Sequence, residues 1–157
     1  MFERILVPLD GSKIGEAALP VIEELVTKLL PDIKVEVTLF HAVSYRELGL
    51  ASMEAPQIID TDKEMRLIIA QAIAYLSKAA EGLRRKGVIV KTRVGSGPAA
   101  QEIIKAADEI NAELIVMLTH GRSGFSRFAL GSVADKVLRV ATTPILLVRA
   151  TKQIAQT

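Results

Sequence analysis

The chain has 157 residues, with 20 Lys and Arg against 18 Asp and Glu, so its formal net charge is only +2. No stretch concentrates positive charge as nucleic-acid-binding proteins do, and aromatic residues, at 4%, are too few for a base-stacking surface. Cysteine is absent, which excludes disulfides, thiolate zinc sites, iron–sulfur clusters and cysteine nucleophiles.

The N-terminal residues carry no signal-peptide pattern. The longest uninterrupted apolar run, residues 114–118, is far shorter than the roughly 20 residues of a membrane span. We therefore expect a cytoplasmic protein without membrane association. Its length predicts a single domain over residues 1–150, followed by a tail over residues 151–157.

The first half of the chain alternates between apolar runs and helical patterns. Residues 5–7 predict a strand, and a helical pattern follows from Ser12, a candidate N-cap, to about Leu30. Pro20 lies inside this pattern, where it should remove a hydrogen bond and bend the helix. Alternating apolar and polar residues predict a strand over residues 34–43.

A long helix is predicted after the irregular segment 44–60. It begins with a capping-box sequence at Thr61 and ends at Gly87. Its expected buried stripe comprises Met65, Ile68, Ile69, Ala72, Ile73, Leu76, Ala79, Ala80 and Leu83.

The second half predicts strands over residues 88–94, 113–118 and 144–149. Lys91, Thr92 and Arg93 make the first of these suitable for a sheet edge. Between the strands, one helix begins at Gly97–Pro98, with Pro98 as its first helical residue, and extends to about Ile110. The last helix begins at Gly131–Ser132, after a loop over residues 119–130, and extends to about Val140.

This order of elements is typical of an α/β protein. Strands joined by helical crossovers lie parallel in one sheet with helices on both faces, which gives three α/β/α layers. Central strands of such a sheet are apolar throughout because both their faces are buried, and residues 5–7, 114–118 and 145–148 fit this pattern.

Ligands of open α/β sheets bind beyond the carboxyl ends of the strands, where the winding reverses. The richest loop there is 119–132, which offers three Gly, three Ser and two Arg before a helix N-terminus. Free N–H groups and the helix dipole attract anions at such a point, and glycine admits a phosphate close to the backbone. An ordinary loop ending in a Ser N-cap is the alternative interpretation.

Residues 5–12 read Ile-Leu-Val-Pro-Leu-Asp-Gly-Ser, and residues 144–148 read Pro-Ile-Leu-Leu-Val. In these segments, in the order of its elements and in the loop, the chain resembles the universal stress protein family, over about residues 2–149. The loop matches the spacing of the ATP-binding members: Gly, two residues, Gly, nine residues, then Gly-Ser or Gly-Thr. Gly121 and Gly131–Ser132 fit this pattern, whereas its first glycine falls on Leu118.

The resemblance implies an adenine nucleotide alpha hydrolase-like fold, with a five-stranded parallel sheet in the order 3-2-1-4-5. It also implies a homodimer and bound ATP. The residues that would contact ATP are Pro8, Leu9 and Asp10 near adenine and ribose, Ala42 at adenine, Met117, Gly121 and Arg122 beside ribose and phosphates, and Gly131, Ser132 and Val133 at the phosphates. Mg²⁺ or Mn²⁺ held by the phosphates would need few protein ligands. We expect Leu118 to keep strand geometry, which alters only the sugar contact.

Two other sites are suggested by short patterns. Residues 95–100 match G-x-G-x-x-A, but they follow an apparent edge strand, and Pro98 removes a phosphate-facing N–H; a tight turn into a helix is the simpler interpretation. His41 or His120 could form the Ser-His-Asp triad of a hydrolase with Asp10 and Ser132. The sequence lacks the G-x-S-x-G motif that would support such a site. Two His without Cys make a dedicated transition-metal site improbable.

The sequence therefore leaves three functions open. The first is an ATP-binding, homodimeric regulatory protein with a protein partner that the sequence does not identify. The second is a nucleotide-free dimeric interaction protein with a degenerate site, and the third is at most a slow ATPase. The last strand (Ile145, Leu146, Leu147 and Val148) is apolar yet should lie at a sheet edge, which predicts dimerisation through it.

Overall fold

The computed structural model describes residues 2–13, 15–29, 34–43, 61–119 and 131–149. Strands and helices alternate along these residues. The strands are β1 (Arg4–Pro8), β2 (Glu36–Val43), β3 (Ile89–Ser96), β4 (Leu114–Thr119) and β5 (Ile145–Arg149). The α-helices are α1 (Ala18–Glu24), α2 (Thr61–Arg85), α3 (Ala99–Glu109) and α4 (Ser132–Val140). A 3₁₀ turn (Gly15–Ala17) precedes α1, and a π-helical turn (Leu25–Leu29) follows it.

The five strands form one sheet in the order β3-β2-β1-β4-β5, and every neighbouring pair is parallel. This confirms the fold class and strand order implied by the sequence. It also confirms that the strand with Lys91 and Arg93 lies at an edge. At this edge Lys91 forms an ion pair with Glu36, and Arg93 forms one with Glu109. The opposite edge is β5, although its apolar residues 145–148 are typical of a central strand.

Two apolar layers hold the helices against the two faces of the sheet. Ile5 and Val7 pack with α1 and α2, whereas Leu6 between them packs with α3 and α4. β4 alternates in the same way, with Val116 on the first face and Met117 on the second. Both faces of the central strands are therefore buried, which explains why these strands contain no polar alternation.

The first helical region differs from the continuous helix that the pattern predicts. The 3₁₀ turn comes first, and Pro20 is consequently the third residue of α1. The first N–H groups of a helix have no partner within the helix, so Pro20 costs no helical hydrogen bond there. Ser12 caps the 3₁₀ turn, since its Oγ accepts a hydrogen bond of 2.9 Å from the Gly15 N–H.

The prediction that Ile73 of α2 lies in the core is wrong. Ile73 is 49% exposed, whereas the other positions of the predicted stripe are buried or half-buried. Ile73 follows the buried Ala72, and one residue rotates the side chain by about 100°, which takes it off the arc that faces the sheet. The left-handed stop is confirmed, with φ of +82° at Gly87. The side chain of Thr61 lies outside the described residues.

Three boundaries near the carboxyl edge also shift. Thr119 is the last residue of β4, and Pro98 is the N-cap of α3 rather than its first residue. Gly131, not Ser132, is the N-cap of α4. Segments 44–60 and 120–130 and the tail 151–157 lie outside the described residues, and Gly121, Arg122 and His120 lie there with them. Within the part described, no helix is long and apolar enough to cross a membrane.

Candidate functional site

The turn after β1 is fastened to the end of β2 by the backbone of Leu9. The Leu9 N–H donates to the Phe40 carbonyl over 2.8 Å. The Leu9 carbonyl accepts from Nδ1 of His41 over 2.7 Å. Both polar backbone groups of Leu9 are therefore used within the fold, and this turn has one fixed position at the carboxyl edge of the sheet.

A second set of hydrogen bonds shapes the residues that follow. Oδ1 of Asp10 accepts from the backbone N–H of Ser12 at 3.0 Å and from its hydroxyl at 2.6 Å. Gly11 has a φ of +78°, which glycine adopts without steric cost. Gly15 is also required, because a Cβ there would collide with Oδ1 of Asp10. The Asp10 carboxylate is thus held at the rim, with its residue exposed to solvent.

This turn forms one wall of a cavity of about 630 Å³ at the carboxyl edge of the sheet. The volume lies within the usual range for small-molecule sites. The cavity lies between β1 and β4, where the chain passes from helices on one face to helices on the other. Its lining comprises Pro8, Leu9, Asp10, Ser12, Gly15, Phe40, His41, Ala42, Ala99, Ile103, Met117, Leu118, Gly131, Ser132, Val133 and Ala134.

Eight of the ten residues assigned to ATP contacts from the sequence line this one cavity. They are Pro8, Leu9, Asp10, Ala42, Met117, Gly131, Ser132 and Val133. The other two, Gly121 and Arg122, lie outside the described residues. The fold thus brings together side chains that are up to 125 positions apart in sequence, from Pro8 to Val133.

The N-terminus of α4 is open toward this cavity. Gly131 is its N-cap, and no side chain caps the first N–H groups. A Cβ at Gly131 would have no described atom within 4 Å. Unpaired N–H groups and the positive end of the helix dipole favour an anion here. The hydroxyl of Ser132, on the same cavity wall, is a further donor.

Leu118 has the ordinary strand geometry that we expected. It belongs to β4, lies in register with Val148 of β5, and is only 9% exposed. Asn111 is the one non-glycine residue with positive φ among those described. The Leu118 side chain packs in the core layer of α1 and α2 while part of it lines the cavity. The departure from the glycine pattern is therefore accommodated without backbone strain.

His41 belongs to a packed pair rather than to a catalytic triad. Its ring meets the Tyr75 ring edge-on, with centroids 5.9 Å apart. In a triad Nδ1 would donate to a carboxylate. Here Nδ1 is bonded to the Leu9 carbonyl, while Asp10 accepts from Ser12. These bonds argue against a hydrolase built on His41.

The pKa of Tyr75, which packs against His41, reflects burial and nearby negative charge. Burial raises the pKa of Tyr75 to about 12, and the negative charges of Glu16 and Asp10 add to the rise, which the nearby Gly11 backbone partly opposes. The phenol is therefore neutral at physiological pH. Its buried Oη has no hydrogen-bond partner among the described residues.

The glycine turn after β3 is occupied by the protein itself. The Glu102 carboxylate lies against both glycines: a Cβ would be 2.8 Å from Oε2 at Gly95 and 3.0 Å from Oε1 at Gly97. A pyrophosphate at this turn would meet a like charge at close range. The G-x-G-x-x-A pattern is consequently a tight turn into α3, as its position on an edge strand suggested.

Five lining residues were not assigned to the site from the sequence: Ala99 and Ile103 on α3, Phe40, Ala134 and the small Gly15. Ala99 and Ile103 lie four residues apart on one helix face, at the end of α3 nearest the carboxyl edge. That spacing was visible in the sequence, but it is equally typical of core packing. The role of Gly15 depends on its contact with Asp10, which no local pattern reveals.

Comparison with known proteins agrees with this geometry. The sequence profile of the universal stress protein family matches residues 1–149. The chain belongs to the universal stress protein family. Universal stress protein MJ0531 of Methanocaldococcus jannaschii is 30% identical, over 98% of this chain and 85% of the relative.

Solved structures of the universal stress protein fold extend the comparison. The structure of MJ0577, also from Methanocaldococcus jannaschii, superposes with a TM-score of 0.74 at 27% identity, covering 97% of this chain and 99% of that one. A universal stress protein in complex with cAMP gives a TM-score of 0.65 at 19% identity, covering 96% of this chain and 98% of that one. At that identity the second likeness concerns the fold alone.

Proposed function

We propose that this universal stress protein is an adenine-nucleotide-binding regulatory protein with ATP as its ligand. The observation that carries the proposal is the position of the cavity. It lies at the reversal of winding between β1 and β4, and an open helix N-terminus forms part of its wall. This is where open α/β sheets bind ligands, with phosphates at a helix N-terminus.

The lining suits the parts of a nucleotide. Ala42, Met117 and Ile103 offer an apolar slot for the base. The exposed Asp10 carboxylate would accept hydrogen bonds from ribose hydroxyls. The N–H groups at Gly131, Ser132 and Val133 would hold the phosphates, and Gly121 and Arg122 remain predicted contacts on the phosphate side.

A divalent cation would be bound through the nucleotide. Among the described residues, no three His, Asp or Glu side chains are grouped as a metal site requires. Mg²⁺ is commonly held by one or two carboxylates and the phosphates of its nucleotide, and it supplies charge neutralisation there. Asp10 is the carboxylate of the cavity wall. We therefore expect Mg²⁺ or Mn²⁺ to bind only together with ATP.

Regulation rather than catalysis is the proposed role. The Ser12 hydroxyl donates to Asp10, but it also accepts from the Gly15 N–H and so caps the 3₁₀ turn, while His41 is bonded to a backbone carbonyl. Hydrolysis of ATP would then be slow at most. We retain a cytoplasmic location as part of the proposal.

Thermal unfolding tests the nucleotide proposal. ATP with Mg²⁺ at a hundredfold excess over its Kd adds about 2.7 kcal/mol to the unfolding free energy. For a chain of this size we expect a Tm higher by roughly 5–10 °C. GTP should raise the Tm less. Protein denatured in acid after purification should also release an adenine nucleotide. If neither result is obtained at millimolar nucleotide, the nucleotide-free interaction function replaces the proposal.

We also propose a homodimer through β5. In the described sheet β5 pairs only with β4, so its other edge has no neighbouring strand. Leu146 is 37% exposed, and Ile145 and Leu147 are half-buried. A copy related by a two-fold axis would add its own β5 antiparallel and cover this apolar edge. Val140 and Leu138 at the end of α4 are exposed too and would enlarge the interface.

Two lysine variants with equal starting exposure test the dimer. Leu146 and Ile89 are each 37% exposed and lie on the opposite edges of the sheet. Leu146→Lys should give a monomer in light scattering at micromolar concentration, because it places charge in the β5 interface. Ile89→Lys should leave the mass of the dimer unchanged. A monomeric wild type, or a dimeric Leu146→Lys protein, would contradict the proposal. Val148 is unsuitable for this test because it is only 9% exposed.

A further inference from the structure

The hydrogen-bond ladder between β1 and β2 ends at Phe40, which leaves the next residue of β2 on that side without a strand beside it. Adjacent residues of a strand in a parallel sheet direct their N–H and C=O groups to opposite neighbouring strands. The Phe40 carbonyl accepts from the Leu9 N–H on the β1 side. The Val43 carbonyl accepts from Gly97, after β3. Ala42, between them, therefore directs both backbone groups to the β1 side, beyond the end of β1 at Pro8.

The Leu9 carbonyl is the acceptor that a continued ladder would give to the Ala42 N–H. That carbonyl instead accepts from Nδ1 of His41 at 2.7 Å, and no backbone hydrogen bond joins Ala42 to Leu9. Because a carbonyl oxygen only accepts, Nδ1 carries the proton. Packing explains this choice of partner. Leu9 lies in the core layer of α1 and α2, and the His41 ring lies on the same side of the sheet, against Tyr75 of α2.

The backbone of Ala42 is consequently available at the cavity. Ala42 lines the cavity and is half-buried. Within the described part of the chain, no backbone group outside the strands bonds to its N–H or its carbonyl. An N–H donor beside a carbonyl acceptor is complementary to a ring nitrogen beside an amino group, and adenine has such an edge.

We infer that His41 is a positioning residue for the base of the nucleotide. By holding the Leu9 carbonyl, it keeps the Ala42 N–H from closing the ladder and leaves that N–H for the ligand. The inference rests on the proposed nucleotide binding and deepens it. Without a donor at residue 41, the Leu9 carbonyl would pair with Ala42, and the two strands would zip together where the base is expected.

Hydrogen exchange at the Ala42 amide tests this role in nucleotide-free protein. In wild type the amide should exchange rapidly, because it faces the cavity without an acceptor, and ATP should protect it. In His41→Leu the amide should exchange at least about tenfold more slowly than in wild type without any nucleotide, because it then bonds to Leu9. His41→Asn should restore rapid exchange, since the Asn amide can donate from nearly the position of Nδ1.

Affinities for ATP and for inorganic tripolyphosphate separate positioning from a general structural role. Tripolyphosphate has the charged end of ATP without the base. His41→Leu should bind ATP about tenfold more weakly than wild type and tripolyphosphate equally well, and His41→Asn should recover the ATP affinity. The matched control is Val37→Ala, a fully buried residue of the same strand outside the cavity lining. It should lower the Tm and keep the ratio of the two Kd values.

Three results would overturn the role of His41. The first is a slowly exchanging Ala42 amide in nucleotide-free wild type, a measurement that holds even where His41→Leu does not fold. The second is a His41→Leu protein that loses affinity for both ligands equally, and the third is one that loses it for neither. A wild type with a rapidly exchanging Ala42 amide and no affinity for ATP would overturn the nucleotide proposal, and with it the role of His41 in binding.

Discussion

Two helices of this protein begin after a glycine at the carboxyl edge of the sheet, and they differ in what lies against that glycine. At α3 the Glu102 carboxylate packs on Gly95 and Gly97. At α4 the space beside Gly131 is open among the described residues, and neither helix has a side-chain hydrogen bond at its N-cap. Both N-termini carry the same favourable dipole for an anion. At α3 a carboxylate of the chain itself, that of Glu102, lies beside the glycines that precede the helix.

The difference shows why a glycine pattern alone is a weak indicator of a phosphate site. The turn at Gly95 and Gly97 matches a dinucleotide fingerprint in its letters, yet its space is filled. Gly131 matches a family pattern, and none of the described residues has an atom within 4 Å of a Cβ placed there. Whether a helix N-terminus binds an external anion depends on side chains several residues further along, which a short pattern does not include.

Replacement of Gly131 should have the largest effect on binding. Gly131→Val would place a branched side chain where the phosphates are expected, and ATP affinity should fall by at least about a hundredfold. The fold should be nearly unaffected, because φ at Gly131 is −58° and the Cβ meets no described atom. Titration calorimetry and the Tm without nucleotide measure the two effects. Unchanged ATP affinity would place the phosphates elsewhere.

Replacement of Leu118 separates the core from the site. Leu118→Gly removes a side chain that is only 9% exposed, so the unfolding free energy should fall by about 3–5 kcal/mol. ATP affinity should change by less than about tenfold, because the phosphate end is untouched. Denaturant unfolding and titration at low temperature give the two values.

The control is Leu114→Ala on the same strand and in the same core layer, away from the cavity. It should lower stability and leave affinity as it is. A wild type that binds no ATP, together with a Leu118→Gly protein that does, would mean that Leu118 blocks the site.

Replacement of Gly97 should lower stability and leave ATP affinity unchanged, which is the reverse of the effects expected at Gly131. Gly97 has a φ of +151°, and a Cβ there would be 3.0 Å from Oε1 of Glu102. Gly97→Ala should therefore lower the unfolding free energy by about 1–3 kcal/mol through backbone strain. ATP affinity below the melting transition should stay close to that of wild type. A lower affinity with unchanged Tm would show that this turn, too, binds the nucleotide.

The smallest effect concerns the Glu113 carboxylate, which accepts hydrogen bonds from backbone N–H groups at the amino edge of the sheet. Glu113 accepts from the Glu3 N–H at 2.6 Å, and this bond, with a lesser contribution from Arg4, lowers the pKa of Glu113 below 4.5. A lowered pKa stabilises the fold above the unfolded value and loses that contribution as the pH falls through the folded value. The Tm difference between wild type and Glu113→Gln should be constant near pH 7 and shrink below pH 4.5. A difference independent of pH would contradict this account.

Much of the fold could be predicted because apolar patterns record which faces are buried. The uninterrupted apolar residues of β4 indicated a central strand, and Lys91 and Arg93 indicated an edge. Ile73 was predicted to be buried, but an apolar residue within a helical pattern need not face the core. The predicted cost of Pro20 was wrong because it assumed that the α-helix begins near Ser12. A 3₁₀ turn precedes α1, so Pro20 lies in the first turn of the helix, where it removes no helical hydrogen bond.

The site was predictable only in part for a physical reason. Residues next to strand ends, such as Asp10, Ala42 and Gly131, could be assigned because parallel strands place their carboxyl ends together. The α3 wall could not, since Ala99 and Ile103 look like any buried helix face. The contact of Glu102 with Gly95 joins two elements through side-chain packing, which has no signature in the linear sequence.

The two backbone bonds of Leu9 have a consequence for the thermodynamics of binding. With its N–H bonded to Phe40 and its carbonyl to His41, the wall formed by β1 and its turn is already ordered before any ligand arrives. Binding therefore incurs little conformational entropy on this side, and the ordering cost is confined to other parts of the cavity. In hydrogen–deuterium exchange the Leu9 amide should be protected equally with and without nucleotide, as a rigid scaffold requires.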